Sequence, residues 1–128
     1  MSHRKEITMI RLLPDLPANV IGAEAVGRVE KDDYTRILEP AVAAALESHD
    51  KIRLLYVLGP EFEGYSAGAG WEDTKLGVGH WGAWERIAVV TDREWIADAV
   101  KALGWMLPGE VRVLGTDERA EAEAWITG

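Results

Sequence analysis

The 128-residue chain has a net charge of −8 and no cysteine, which excludes disulfides, thiolate metal sites and cysteine nucleophiles. The acidic charge argues against nucleic acid and anionic membrane surfaces as partners, because both call for a basic patch. No apolar run reaches about 18 residues, so stable membrane insertion is not expected. We expect one domain over 1–128, with 1–8 as a flexible tail. We also expect a cytoplasmic protein, because the chain lacks cysteines and a secretory signal.

The first two predicted elements are strands. Residues 7–13 and 20–29 are apolar runs joined by a proline-containing turn, which is typical of an antiparallel pair. Gly22 and Gly27 lie inside the second run and predict bulges or a close approach to the backbone.

A helix is predicted next, with Asp32 or Asp33 as its N-cap. Apolar residues between 34 and 46 recur at spacings of three and four, which places them on one helix face. Pro40 falls inside this pattern. It predicts a short first turn followed by a main helix that begins near the proline, where a missing N–H is tolerated.

Residues 52–58 form a nearly continuous apolar run, which predicts a central strand covered on both faces. The glycine-rich residues 59–70 predict a loop at the carboxyl end of that strand, where open α/β sheets bind their ligands. Residues 71–84 predict a weak, glycine-rich helix. Short apolar runs at 87–90 and 111–114 predict the two remaining strands.

Two more helices complete the chain, one capped by Asp92 and one capped by Thr116 or Asp117. Trp95 and Trp125 lie on their apolar stripes and are predicted to be buried. The element order is therefore ββαβαβαβα. It predicts an α/β domain with a mostly parallel sheet of about five strands, an antiparallel first strand and helices packed around the sheet.

A candidate ligand pocket surrounds the glycine-rich region, because aromatic and apolar side chains there suit a concave apolar site. The chain has no histidine pair at metal-binding spacing and no phosphate-binding loop, so neither a metal nor a cofactor is expected. The candidate ligand-binding residues are Phe62, Tyr65, Ser66, Trp71, Lys75, Val78 and Trp81.

The same region holds two weaker candidates for chemistry. Ser66 lies in the sequence GYSAG, which fits a G-x-S-x-G elbow, but the predicted loop separates it from the strand, so a sharp strand-to-helix turn is not expected. Four carboxylates are interpreted as a solvated group rather than an acid–base pair. They are Glu61, Glu63, Glu72 and Asp73.

Together, motifs spread from about Met9 to Ile126 resemble the SpoIIAA-like family of small bacterial proteins. The block from Arg86 to Trp95 is the most specific part of the resemblance. In order, the motifs are Asp33-Tyr34 before Leu38-x-Pro40, Trp71-Glu72-Asp73 with Lys75, His80-Trp81, Trp84 to Asp92, Trp95, and Ala122-x-x-Trp125-Ile126.

The resemblance implies a STAS-type fold, with kinship to the lipid-carrying lobe of CRAL-TRIO proteins. STAS antagonists of anti-sigma factors use a phosphorylated serine in an Asp-Ser motif after a central strand. The matching segment here, Leu58 to Glu61, has no Asp-Ser pair. The residues therefore argue against the role of an antagonist that is switched by phosphorylation.

Three functions follow from these observations. The leading hypothesis is a non-enzymatic module that binds a small apolar or amphipathic molecule, which includes lipids. The alternative is a protein–protein interaction module, acting as a homodimer or with another partner, in which the same aromatics form a contact surface. A weaker alternative is a small hydrolase that uses Ser66.

Overall fold

The computed structural model describes residues 9–128, with the side chains of residues 77 and 78 excepted, so the predicted tail at 1–8 lies outside the described residues. Five strands form one sheet in the order β1-β2-β3-β4-β5. β1 is antiparallel to β2, and the other neighbours are parallel, which confirms the predicted fold class. The strands are β1 Ile10–Leu12, β2 Val20–Val29, β3 Ile52–Tyr65, β4 Trp84–Thr91 and β5 Glu110–Leu114.

The helices are divided unequally between the two faces of the sheet. Successive parallel strands step in one direction across the sheet, and right-handed crossovers then place the connecting helices on one face. That face holds α2, α3 and α4, whereas α5 packs on the other face. The helices are α1 Lys31–Asp33, α2 Glu39–Leu46, α3 Ala67–Gly79, α4 Glu94–Gly104 and α5 Arg119–Thr127, with 3-10 turns at Trp81–Ala83 and Thr116–Glu118.

β3 supplies side chains to both cores because residues alternate along a strand. Leu54, Tyr56 and Leu58 belong to the core under α2–α4, and Leu55 and Val57 belong to the core under α5. All five are buried. The apolar run predicted as a central strand therefore has both faces covered.

Both glycines of β2 behave as predicted. Gly27 has a φ of 74° and sits at a shift in the pairing register between β2 and β3, which is a bulge. Gly22 is a site of close approach, since a Cβ there would collide with Leu16 and would lie 3.0 Å from the Cβ of Leu13.

The first helix begins one residue before the predicted caps, and the predicted cap is wrong. Glu30 is the N-cap, and Asp33 accepts its backbone N–H at 2.7 Å. Asp33 also accepts the backbone N–H of Met9 at 2.9 Å, so its carboxylate holds the helix start to the chain before β1.

Pro40 stands at the beginning of α2, as predicted. A π-helical turn, Tyr34–Leu38, precedes it, and the Glu39 N–H bonds back to the Tyr34 carbonyl. A proline has no N–H to donate to the carbonyl four residues earlier, so a regular α-helix could not run through this position. The wider turn places Tyr34 against the sheet, where it is fully buried.

The largest error in the predicted elements lies in the glycine-rich region. β3 does not end at Leu58 but continues to Tyr65, and only Ser66 separates it from α3. Among the described strands, only β2 pairs with β3 beyond Leu58, because β4 ends opposite Leu58 at Thr91. The bulge at Gly27 lets β2 follow this polar half of β3, a tertiary effect that local polarity does not reveal.

The caps predicted for the last two helices are also wrong. Arg93, not Asp92, precedes α4, and Asp92 instead accepts the Thr116 backbone N–H at 3.0 Å and the Thr116 hydroxyl at 2.5 Å. Thr116 and Asp117 lie in a 3-10 turn, and α5 begins after Glu118. Asp92 therefore ties the end of β4 to the segment after β5.

The two tryptophans predicted to be buried differ in their exposure to solvent. Trp95 is 57% exposed, which contradicts the prediction, because Ile96, one residue later, occupies the buried side of α4. Trp125 is half-buried against the α5 core, with the guanidinium groups of Arg86 and Arg112 lying 5.3 and 5.0 Å from its ring.

Candidate functional site

A partly open cavity of about 170 Å³ lies between the sheet and the helices α3 and α4. Its walls are mainly aliphatic side chains from β3, β4 and α4. Six of them are Leu54, Leu58, Ile87, Val89, Ile96 and Val100. Most of these residues are buried or half-buried, so the cavity is a gap in the larger of the two cores.

Polar groups are gathered at one part of this cavity. Tyr56, Tyr65 and Asp73 line it, and the Tyr34 side chain lies behind them. The Tyr65 hydroxyl donates to the Tyr56 oxygen at 3.2 Å, the Tyr34 and Tyr56 oxygens are 2.9 Å apart, and Tyr34 donates to Asp73 Oδ1 at 2.8 Å. These four residues form a continuous chain of hydrogen bonds, which we call the hydroxyl chain.

The hydroxyl chain has one direction. Tyr34 has a single hydroxyl hydrogen, and it is donated to Asp73. Tyr56 must therefore donate to Tyr34, and Tyr65 donates to Tyr56. All three phenol hydrogens point toward the carboxylate, an arrangement in which each bond polarises the next. The three residues are the only tyrosines in the chain.

The surroundings shift the pKa values of the hydroxyl chain upward. Burial raises the pKa of Tyr34, Tyr56 and Tyr65, so all three phenols are neutral at physiological pH. Burial also raises the pKa of Asp73, and the hydrogen bond from Tyr34 opposes that shift. Asp73 is itself exposed, so the cavity is open to solvent where Asp73 lines it.

Trp84 contributes a second polar feature. Its side chain lines the cavity and is 3% exposed, yet its indole Nε1–H is the one buried side-chain polar atom of the described residues without a hydrogen-bond partner. A buried donor left unpaired costs about 1–3 kcal/mol.

The structure brings two of the seven predicted ligand-binding residues, Tyr65 and Trp81, to the cavity. Phe62 instead lies in the core, fully buried, with its ring centroid 5.2 Å from that of Tyr65 and 5.5 Å from the Arg93 guanidinium. Arg93 also donates to the Phe62 carbonyl. Phe62 therefore packs against the ring of Tyr65 and does not line the cavity.

Of the other predicted residues, Trp71, Lys75 and Ser66 do not line the cavity. Trp71 is 64% exposed, and Lys75 is exposed, with its ammonium 3.3 Å from Glu72 Oε2. The Val78 side chain lies outside the described part of the chain. Ser66 accepts the backbone N–H of Ala69 at 3.1 Å and so caps the start of α3.

Ser66 has the chain topology of a nucleophile elbow, contrary to the expectation from the sequence. It is the single residue between β3 and α3. However, Asp15 is the only described non-glycine residue with a positive φ, so Ser66 lacks the strained backbone of such an elbow. Its hydroxyl serves the helix start instead.

The four carboxylates interpreted as a solvated group divide into two pairs. Glu61 and Glu63 are exposed, as interpreted. Glu72 is buried, and Asp73 lies at the cavity. Sequence reasoning thus missed Asp73 as a site residue, and it missed Tyr34, Tyr56 and Trp84. Tyr56 carried a signal, because it alternates with Leu54 and Leu58 and so shares their face of the sheet.

Over residues 9–128, no helix is long and apolar enough to cross a bilayer; the longest, α3, has 13 residues. The cytoplasmic location and the partners predicted from the sequence stay predictions.

A comparison with protein families finds a match over residues 20–127 to the family model described as SpoIIAA-like. Among solved structures, the chain is similar to an uncharacterized protein of the DUF3478 family with a SpoIIAA-like fold from Shewanella loihica PV-4, with a TM-score of 0.73. The two are 24% identical, over 98% of this chain and 99% of that one, which shows a shared fold. No curated protein matches the chain. The kinship to CRAL-TRIO proteins stays a prediction.

Proposed function

We propose, from the premise that this chain belongs to the SpoIIAA-like family and is a STAS-type module, that it binds a small apolar or amphipathic molecule in the cavity between β3, β4 and α4. The observation that supports this is the combination of aliphatic walls with a localised polar group, the hydroxyl chain. Pockets for small ligands have this composition, because apolar walls give affinity and a few polar groups fix orientation.

The cavity volume limits the size of the occupant. An engineered apolar protein cavity of about 150 Å³ accommodates one benzene molecule. A cavity of about 170 Å³ therefore holds a single ring or a short aliphatic chain. A long lipid chain would have to leave most of its length outside the cavity.

A cavity-filling variant tests this function. Val100 lines the cavity from α4, and Val100→Trp would place an indole in the space that the ligand needs. We expect that toluene, added as a probe, shifts the NMR signals of the cavity residues in the wild type and fails to do so in Val100→Trp.

Ala102→Trp is the matched control, because Ala102 is exposed on the same helix and does not line the cavity. It should bind toluene as the wild type does. Saturable toluene binding that survives in Val100→Trp would place the site elsewhere. No binding by the wild type would reject the proposed function.

A second candidate function is supported by an exposed surface beside the cavity. Four large apolar side chains on α4 and the turn after it are exposed, and this α4 surface is a candidate contact for another protein. They are Trp95, Leu103, Trp105 and Met106, and Trp105 is 87% exposed. Aromatic residues and methionine are enriched at protein interfaces.

Sedimentation of the wild type and of Trp105→Ser distinguishes this candidate. A homodimer that Trp105→Ser dissociates would support it. A monomer at concentrations up to about 100 μM would argue against self-association through this surface, since a weaker dimer would need a Kd above that value.

A further inference from the structure

The hydroxyl chain leaves only acceptors for an occupant of the cavity. Each phenol hydrogen is already donated within the chain, toward Asp73. Tyr65 keeps an unused lone pair on its oxygen. Asp73 uses Oδ1 for Tyr34, and its Oδ2 has no hydrogen bond among the described residues. An ionised Asp73 has no hydrogen to donate, so this part of the cavity can only accept.

The lining also lacks positive charge. None of the described side chains that line the cavity belongs to Lys, Arg or His, and Asp73 is the only charged one. A carboxylate or phosphate group brought into the cavity would lose its hydration without a cation to pair with. It would also meet the negative charge of Asp73. The single N–H of Trp84 does not offset the burial of a full charge.

We propose that the occupant is a ring-sized apolar molecule whose polar group donates a hydrogen bond, an alcohol or an amine, to Asp73 and Tyr65. This inference rests on the proposed function and narrows it. It excludes fatty-acid anions as cavity ligands, although they are amphipathic. The apolar part of the molecule lies against Val89, Val100 and the neighbouring aliphatic walls.

Four probes of nearly equal shape test the inference by NMR titration at pH 7: toluene, benzyl alcohol, benzylamine and benzoate. We expect benzyl alcohol or benzylamine to bind at least tenfold more tightly than toluene, and benzoate to bind more weakly than toluene. The relative affinity of the alcohol and the amine shows whether a neutral or a cationic donor is preferred.

Asp73→Asn supplies the first variant. Asparagine keeps an oxygen for Tyr34 and adds an N–H₂ group, so it offers the ligand a donor. The tenfold preference for benzyl alcohol or benzylamine over toluene should fall to about twofold or less. Tyr65→Phe removes the other acceptor and should reduce the preference without abolishing toluene binding.

The matched control is Thr74→Val, because Thr74 also lines the cavity, beside Asp73, but donates its hydroxyl to the Gly70 carbonyl. It should retain the wild-type preference. If toluene binds and neither donor probe binds more tightly, the inference is wrong and the proposed function stands. If no probe binds, the proposed function is rejected, and the inference that rests on it is rejected with it. Tight benzoate binding would overturn the inference directly.

Discussion

The two faces of the sheet are built from the same strands but packed differently. On the α5 face, the side chains of Leu55, Val90, Ala122 and Ile126 are fully buried. On the opposite face, α3 and α4 leave about 170 Å³ unfilled over the same strands. The α5 face is a buried core, and the cavity face has a gap.

The polar groups follow the same division. The α5 face keeps its charged groups at the rim, where Arg86 donates to the Trp125 carbonyl at 2.8 Å and Arg53 donates to the Ile126 carbonyl at 2.9 Å. The cavity face carries the hydroxyl chain, which joins the buried Tyr34 and Tyr56 to Tyr65 and Asp73 at the cavity. Close packing favours stability, and a gap with polar groups at one end is the composition expected of a binding site, so this division agrees with the proposed ligand binding on the cavity face.

Truncation of Ile126 should have the largest effect on stability. Ile126 is fully buried under the sheet, and Ile126→Ala should lower the free energy of unfolding by about 2–5 kcal/mol. Leu103→Ala is the comparison, because Leu103 lines the cavity and is 45% exposed. It should cost less than about 1.5 kcal/mol. Urea denaturation measures both, and equal losses would show that the two faces are packed alike.

Truncation of Trp125 in α5 should lower the stability of the protein more than truncation of Trp95 in α4. Trp125→Ala removes a half-buried ring that two arginines cover, and we expect a loss of about 2–3 kcal/mol. Trp95→Ala removes an exposed ring and should change stability by no more than about 0.5 kcal/mol. Thermal unfolding of both variants checks this. A larger loss for Trp95→Ala would mean that α4 is covered, which a dimer would explain.

The smallest effect concerns the pH dependence contributed by Asp73. Its pKa is raised above the ordinary value of 3.8, so the folded protein holds this proton more tightly than the unfolded chain does. This tighter binding of the proton stabilises the folded state. The stabilisation is fully present below pH 3.8, and it is lost as the pH rises through the folded-state pKa of Asp73. Asp73→Asn carries no such titration. It should therefore be more stable than the wild type at pH 7.

Urea denaturation of both proteins between pH 3.5 and 7.5 measures this difference. The two stability curves should separate as the pH rises and run parallel above the folded-state pKa. Thr74→Val, which leaves the carboxyl unchanged, should follow the wild-type pH profile. Curves that stay parallel over the whole range would show that the pKa of Asp73 is not raised.

Much of the fold could be predicted from the sequence because its signals are local. The apolar runs predicted the strands, Pro40 predicted the broken start of α2, and Gly27 predicted the bulge. The second half of β3 could not be predicted, since residues 59–65 are polar and glycine-rich. They become a strand only because β2 pairs with them across the bulge.

The candidate site was less predictable for a related reason. Its polar groups come from three separate elements, and Tyr34, Tyr56, Tyr65 and Asp73 meet only when the π-helical turn, β3 and α3 are assembled. No spacing along the sequence encodes that meeting. Aromatic residues near glycines were a partial guide, which found Tyr65 and Trp81 but also selected Trp71 on the surface.

The extension of β3 past the end of β4 also bears on self-association. Along residues 59–65, the side of β3 that faces away from β2 has none of the described strands beside it, and such an edge can template the addition of another chain. Pro60 has no N–H to offer, Glu61 and Glu63 place like charges along the edge, and Arg93 occupies the Phe62 carbonyl. These residues therefore disfavour the pairing of this edge of β3, the strand that places Tyr65 at the cavity, with another chain.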